Sequence, residues 1–87
     1  MPTIQLTLIS KPDCHLCDTA RGVVDGVVAE LAGEASVRVE ELSILEHPDL
    51  YEKHVEEIPV VLIDGRVHNI WRVDPARLKK AILEVAE

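Results

Sequence analysis

Apolar and polar residues alternate at the start of the chain. Ile4, Leu6 and Leu8 stand against Thr3, Gln5 and Thr7. A period of two predicts a strand over residues 3–9. Ser10 to Asp13 carries Pro12 and ends it. From Cys14 the period lengthens: Leu16, Ala20, Val23 or Val24, Val27 and Leu31 recur at helical spacing. They predict a first helix that stops at Gly33. Gly22 and Gly26 lie inside it one turn apart, at a cost of about 1 kcal/mol each relative to Ala. The close approach of a second helix is the expected reason. Val37 and Val39 mark a second strand. Pro48 suits the first turn of a short helix that runs to about Glu56.

Residues 59–63 place four consecutive aliphatics after Pro59 and predict a strand buried on both faces. Asp64-Gly65 is a tight-hairpin dipeptide, and residues 66–71 form the returning strand. Asp74-Pro75 reads as an N-cap and first-turn pair for a last helix, with Leu78, Ala81, Ile82 and Val85 on one face. The order is β-α-β-α-β-β-α. A right-handed crossover makes the first two strands parallel, and the hairpin makes the last two antiparallel. The expectation is a single α/β domain over residues 1–87, a four-stranded mixed sheet with helices on both faces.

Composition narrows the chemistry. Val, Ile and Leu supply 29 of 87 residues, with one Trp, one Tyr and no Phe, so the chain folds around an aliphatic core rich in β-branched residues. Sixteen acids against nine bases give a net charge of -7. That field repels nucleic-acid backbones and anionic lipid, so neither nucleic acid nor a membrane is an expected partner. No apolar run approaches the length of a membrane span, and the first residues lack a basic segment followed by an apolar one. A cytoplasmic location and a monomer are expected. Thiols there are kept reduced, which makes two cysteines better candidates for chemistry than for a static staple.

Those cysteines are Cys14 and Cys17, in Cys14-His15-Leu16-Cys17, where the first strand gives way to the first helix. One helical turn apart, they can close a small ring. A helix N-terminus offers free N–H groups and positive potential, and both stabilise a thiolate. Cys14, at the tip, is expected to be exposed and to attack. Cys17, one turn in, is expected to be partly covered and to resolve the mixed disulfide. Beside a βαβ pattern this spacing reads as redox chemistry. Lys11 favours a thiolate at Cys14, while Asp13 and Asp18 oppose it. A cationic His15 would stabilise the neighbouring thiolate, which makes it a candidate modulator.

Two readings from other classes remain open on the residues alone. One is a metal-binding module in which two chains share their cysteine pairs around zinc or an iron–sulfur cluster. His47, His54 and His68 do not follow the pair at finger-like spacing, so a zinc site would need two chains to share their cysteine pairs, or distant histidines to converge. The other is an interaction domain whose cysteines no longer exchange. The acids Glu40-Glu41 and Glu56-Glu57 are expected to be solvated charge.

The run Lys11-Pro12-Asp13-Cys14-His15-Leu16-Cys17, followed by Glu57-Ile58-Pro59-Val60-Val61 ahead of the Asp-Gly hairpin, resembles the small bacterial glutaredoxin-like proteins, almost from end to end. The resemblance implies a thioredoxin-like fold with sheet order 2-1-3-4 and thiol-disulfide oxidoreductase activity. Cys14 is then the nucleophile, Cys17 the resolving thiol and Pro59 a cis-proline facing them, with Ile58 offering backbone hydrogen bonds to an extended substrate. Substrates would be disulfide-containing proteins or mixed disulfides of small thiols. No bound cofactor is implied; glutathione, another low-molecular-weight thiol or a protein would be the reductant.

The chain departs from relatives at His54-Val55, where they often carry Tyr and Gly and where packing is the expected reason, and in two places nearer the chemistry. His15-Leu16 replaces a Pro-aromatic pair between the cysteines. Trp71-Arg72-Val73-Asp74 stands where glutathione-binding members carry Gly-Gly and then an acid, and only Asp74 matches. Topology sends this segment to the edge where Cys14 lies. There Arg72, with the helix start at Asp74, is a candidate to hold a substrate carboxylate.

Overall fold

The computed structural model describes residues 3–86. Met1, Pro2 and Glu87, which the expected domain also takes in, lie outside the described residues. The elements are β1 (Ile4–Ser10), α1 (His15–Glu30), β2 (Val37–Ser43), α2 (Pro48–His54), β3 (Val60–Ile63), β4 (Arg66–Ile70) and α3 (Pro75–Ala86). They form one mixed sheet in the order β2-β1-β3-β4, as the resemblance implied. β1 and β2 are parallel from Ile4↔Val37 to Ser10↔Ser43. β3 runs antiparallel to β1 and pairs Ile9 with Val60. The C-terminal end of β1 and the start of β3 therefore share one edge, and β4, antiparallel to β3, returns to it.

Period two on β1 and β3 divides the core between the two faces of the sheet. Ile4, Leu6 and Leu8 with Val61 and Ile63 meet Ala20, Val24 and Val27 of α1 and Leu78 and Ile82 of α3. Ile9 and Val60 point the other way and pack with Ile44, flanked by Leu50 of α2 and by Ile58, Leu62 and Ile70. β3 is thus apolar on both sides, which explains its unbroken aliphatic run. Asp64 and Gly65 close the hairpin with φ of 50° and 84°, the left-handed pair that a two-residue turn of matching twist requires. Asp64 also accepts the Gln5 N–H through Oδ1 at 2.9 Å and donates its own N–H to the Gln5 carbonyl at 2.8 Å, which ties the turn to β1. His68 is the extra residue where the β3–β4 register shifts from Val61↔Asn69 to Leu62↔Val67.

Three details differ from the sequence reading. α1 ends at Glu30 and not at Gly33, because the Leu31 N–H closes on the Val27 carbonyl at 3.0 Å and Leu31 then turns the chain. Gly33 lies in that turn, and its φ is not left-handed. Gly22 and Gly26 face open space, with nothing within 4 Å of an added Cβ, so no close helix approach uses them. α2 stops at His54, two residues early; Val55 to Glu57 form a turn.

Candidate functional site

β1 delivers the chain to its buried last residue, Ser10, and the loop Lys11-Pro12-Asp13 reverses it into α1. Asp13 makes that reversal with φ 58°, a region aspartate visits more readily than most residues. Cys14 is the N-cap of α1, with extended φ and ψ of -114° and 109°. Its carbonyl accepts the Asp18 N–H at 3.0 Å, and its Sγ accepts the Cys17 N–H at 3.2 Å. The sulfur takes the place that a serine or aspartate oxygen takes at other helix starts. Cys14 and Cys17 form a disulfide, with Cα atoms 5.1 Å apart. Cys14 is half-buried and Cys17 is completely buried. The expected asymmetry is present, but both thiols sit deeper than their helix positions suggested. Cys17 shares its helix face with Ala20 and Val24, which pack on the sheet.

The other expected residues fall into two groups around this tip. Lys11 and His15 are exposed beside it, and among the described residues neither makes an ion pair. Pro59 is buried at the start of β3, and the Ile58–Pro59 peptide is cis, as the resemblance implied. Among the described residues, neither the N–H nor the C=O of Ile58 has a hydrogen-bond partner.

The second group is the corner between β4 and α3. Trp71 has φ 66°, and the Arg72 N–H reaches back to the Ile70 carbonyl at 2.8 Å. A left-handed centre with an i to i+2 hydrogen bond is a γ-turn, a rare and strained shape. Two contacts hold it: the Trp71 N–H donates to the Pro59 carbonyl at 2.8 Å, and the indole Nε1 to the Glu56 carbonyl at 3.0 Å. They tie the corner to the segment that carries Ile58.

The topological expectation for Trp71 and Arg72 holds. They and Val73 form one wall of a groove of about 400 Å³ whose other wall is α1, at His15, Leu16, Thr19 and Val23. Trp71 is 54% exposed and does not seal the core. Asp74 is already engaged: its Oδ1 accepts the Ala76 N–H at 3.0 Å and caps α3. One of the N–H groups expected to receive a ligand is therefore occupied.

The sequence reading missed Arg21. Its guanidinium bonds Asp18 at 2.8 Å and forks onto Glu41, Nε to Oε1 at 2.7 Å and Nη2 to Oε2 at 2.6 Å. The Ser10 hydroxyl donates to the same Glu41 at 2.7 Å. Glu41 is therefore bound charge, contrary to the solvated role expected for it. The Arg21 bond above all, and then Ser10, holds its carboxyl below the ordinary range against the opposing effect of burial. The helical spacing of Asp18 and Arg21 was visible in the sequence; the contact with β2 depends on register. Among the described residues no three of His, Cys, Asp and Glu gather as a metal-ligand set, and no helix is long and apolar enough to cross a membrane.

The glutaredoxin-like domain (DUF836) matches residues 5–83 of the chain. An uncharacterized Mycobacterium tuberculosis protein, Rv0508, is 29% identical over 79 residues, covering 90% of this chain and 81% of that one. A thioredoxin of Methanocaldococcus jannaschii is also 29% identical, over 85 residues, covering 97% and 93%. Among solved structures, chloroplastic thioredoxin z superposes with a TM-score of 0.74 at 16% identity, over 95% of this chain and 78% of that one. Mitochondrial thioredoxin 3 of Saccharomyces cerevisiae gives 0.66 at 17% identity, over 93% and 77%. At these identities the two structures speak for the fold.

Proposed function

The chain belongs to the glutaredoxin-like domain family, and on that premise we propose that it is a thiol-disulfide oxidoreductase working through Cys14 and Cys17. One observation carries the reading. The two cysteines are within bonding reach at the N-terminus of a helix, with the first half-exposed and the second wholly buried. A substrate can reach only the first.

In the reduced protein the Cys14 thiolate, stabilised by the helix start and the Cys17 N–H, attacks one sulfur of a substrate disulfide. That bond breaks, the departing thiolate takes a proton, and Cys14 is left in a mixed disulfide. Cys17 then loses its proton and attacks the Cys14 sulfur. The second substrate thiol leaves, and the Cys14–Cys17 disulfide remains. Two electrons have passed from the protein to the substrate. A reductant outside the chain, glutathione or another small thiol, or a protein, returns them.

The substrate segment next to its disulfide lies along Ile58, whose free N–H and C=O can pair with an extended chain. Pro59 shapes that segment. Arg72 takes a substrate carboxylate, and Asp74 contributes by fixing the helix start beside it. Lys11 supplies cationic character at the tip, and His15 stands beside Cys14 as a modulator of its thiolate. The protein acts as a monomer in the cytoplasm on disulfide-containing proteins or small-thiol mixed disulfides.

The test supplies pre-reduced protein with a protein disulfide and, separately, with a mixed glutathione disulfide. Glutathione, a dithiol and a reductase then follow in turn as electron donors. One disulfide reduced per protein, then turnover with one of the donors, is expected. Failure to reduce either substrate overturns the reading.

A further inference from the structure

Two carboxylates stand on elements next to the dithiol loop. Asp18 stands in the first turn of α1, with its N–H on the Cys14 carbonyl. Glu41 stands on β2 and holds the hydroxyl of Ser10, the last residue of β1 before the Cys14 loop. Each disfavours a thiolate at the helix tip. One guanidinium engages both: Arg21 bonds Asp18 through Nη1 and forks onto Glu41 through Nε and Nη2. A long side chain on a helix leans over the turn before its own Cα, so this cation lies over the turn of Cys17 and Asp18. Arg21, Glu41 and the Lys11-Pro12 loop wall a single cleft of about 310 Å³, which sets Arg21 and Glu41 against the loop leading to Cys14.

We propose that Arg21 is a positioning residue of the dithiol: by holding Asp18 and Glu41 it shields the Cys14 thiolate from their charge and sets its reactivity. The proposal rests on the reading of Cys14 as the attacking thiol. A surface ion pair adds little stability, which leaves this arrangement free to serve the neighbouring thiol. The fork geometry suits the task, because it orients one planar cation between two carboxylates. The remaining charged and titratable groups around the tip are Lys11 and Asp13 in the loop, Glu46 on the wall of the same cleft, His15 on α1, Glu56 and Glu57 before β3, and Arg72 at the facing corner. None of them changes in the variants below.

The experiment measures Cys14 alkylation by iodoacetamide against pH in the full, reduced chain, with peptide mapping and circular dichroism. In Arg21→Gln the midpoint rises by about half a unit to one unit, a three- to tenfold loss of thiolate at neutral pH. Adding Asp18→Asn or Glu41→Gln to that variant each reverses part of the shift, and both together restore the midpoint of the native chain or lower it. A native fold with an unmoved midpoint in Arg21→Gln overturns the proposal. So does a shift that the two added substitutions leave in place. Should Arg21→Gln fail to fold, Arg21→Lys takes its place: it keeps a cation but loses the fork onto Glu41, so its midpoint rises if the proposal holds, and an unmoved midpoint contradicts it. The readout needs no turnover, so a chain that reduces no disulfide would fail as an oxidoreductase without deciding this point.

Discussion

Asp13 and Trp71 turn the chain on either side of the dithiol, with φ of 58° and 66°, but at different cost. Aspartate enters the left-handed region readily, while a bulky residue there loses about 1–2 kcal/mol. The corner at Trp71 is held by hydrogen bonds to the Pro59 and Glu56 carbonyls, each worth on the order of 1 kcal/mol, and by the γ-turn itself. The tip at Asp13 leads straight into a helix start. The tip holds the sulfur chemistry on a low-strain backbone. The corner spends strain to present an indole and a guanidinium across the groove. Strain retained in a non-glycine residue at such a place points to recognition, where a fixed shape matters more than local stability.

Substitutions at the two corners can break this contrast. The largest effect is expected from Cys14→Ser, which removes turnover, whereas Trp71→Ala leaves the reaction running with kcat/KM lowered about fivefold, or ~1 kcal/mol. Equal loss in both, measured by disulfide reduction, would erase the division between chemistry and recognition. Next, Trp71→Phe keeps the ring and the strained backbone but deletes the indole donor. It should cost about 1 kcal/mol in a urea titration; an unchanged midpoint would mean that the Glu56 bond does not offset the turn. At the tip, Asp13→Ala should cost about 1 kcal/mol and Asp13→Gly no more than ~0.5. Identical values would remove the backbone argument there.

The smallest effect is a pH dependence placed outside both corners. Burial first, and then Arg77, lowers the pKa of His68 in the folded chain. The unfolded chain therefore takes up a proton near ~6.5 that the folded chain accepts only at lower pH. Stability contributed by neutral His68 is complete above that value and falls as pH drops below it. Urea midpoints from pH 8 to 5 should show this slope, and His68→Gln should flatten it. A slope that survives would move the titrating group elsewhere.

The strands, the hairpin and the dithiol were legible in the chain because each depends on local signals, whereas the order of the sheet came only from the resemblance. Period two marks β1, four aliphatics mark β3, Asp64-Gly65 marks the hairpin, and two cysteines three apart straddle a change of period. Trp71 was legible in place and not in conformation: the hairpin sends it to the dithiol edge, but its left-handed φ depends on contacts with residues 56 and 59. Arg21 was illegible for a related reason. Its fork onto Glu41 joins residues 20 apart and requires the parallel register that sets Leu8 against Glu41. The glycines of α1 misled because their spacing suits close packing while their face is open to solvent. Spacing identifies a face; only tertiary structure says what lies against it.

The division of labour between the two sulfurs is tested most directly by trapping. Reduced Cys17→Ser and Cys14→Ser chains are each mixed with a disulfide-containing protein, and adducts are mapped by mass spectrometry without reductant. A buried Cys17 cannot reach an external disulfide, and an accessible Cys14 needs Cys17 to release its product. A stable adduct through Cys14 in Cys17→Ser, and none in Cys14→Ser, is the predicted result. An adduct through Cys17 in Cys14→Ser with none in Cys17→Ser would contradict the account.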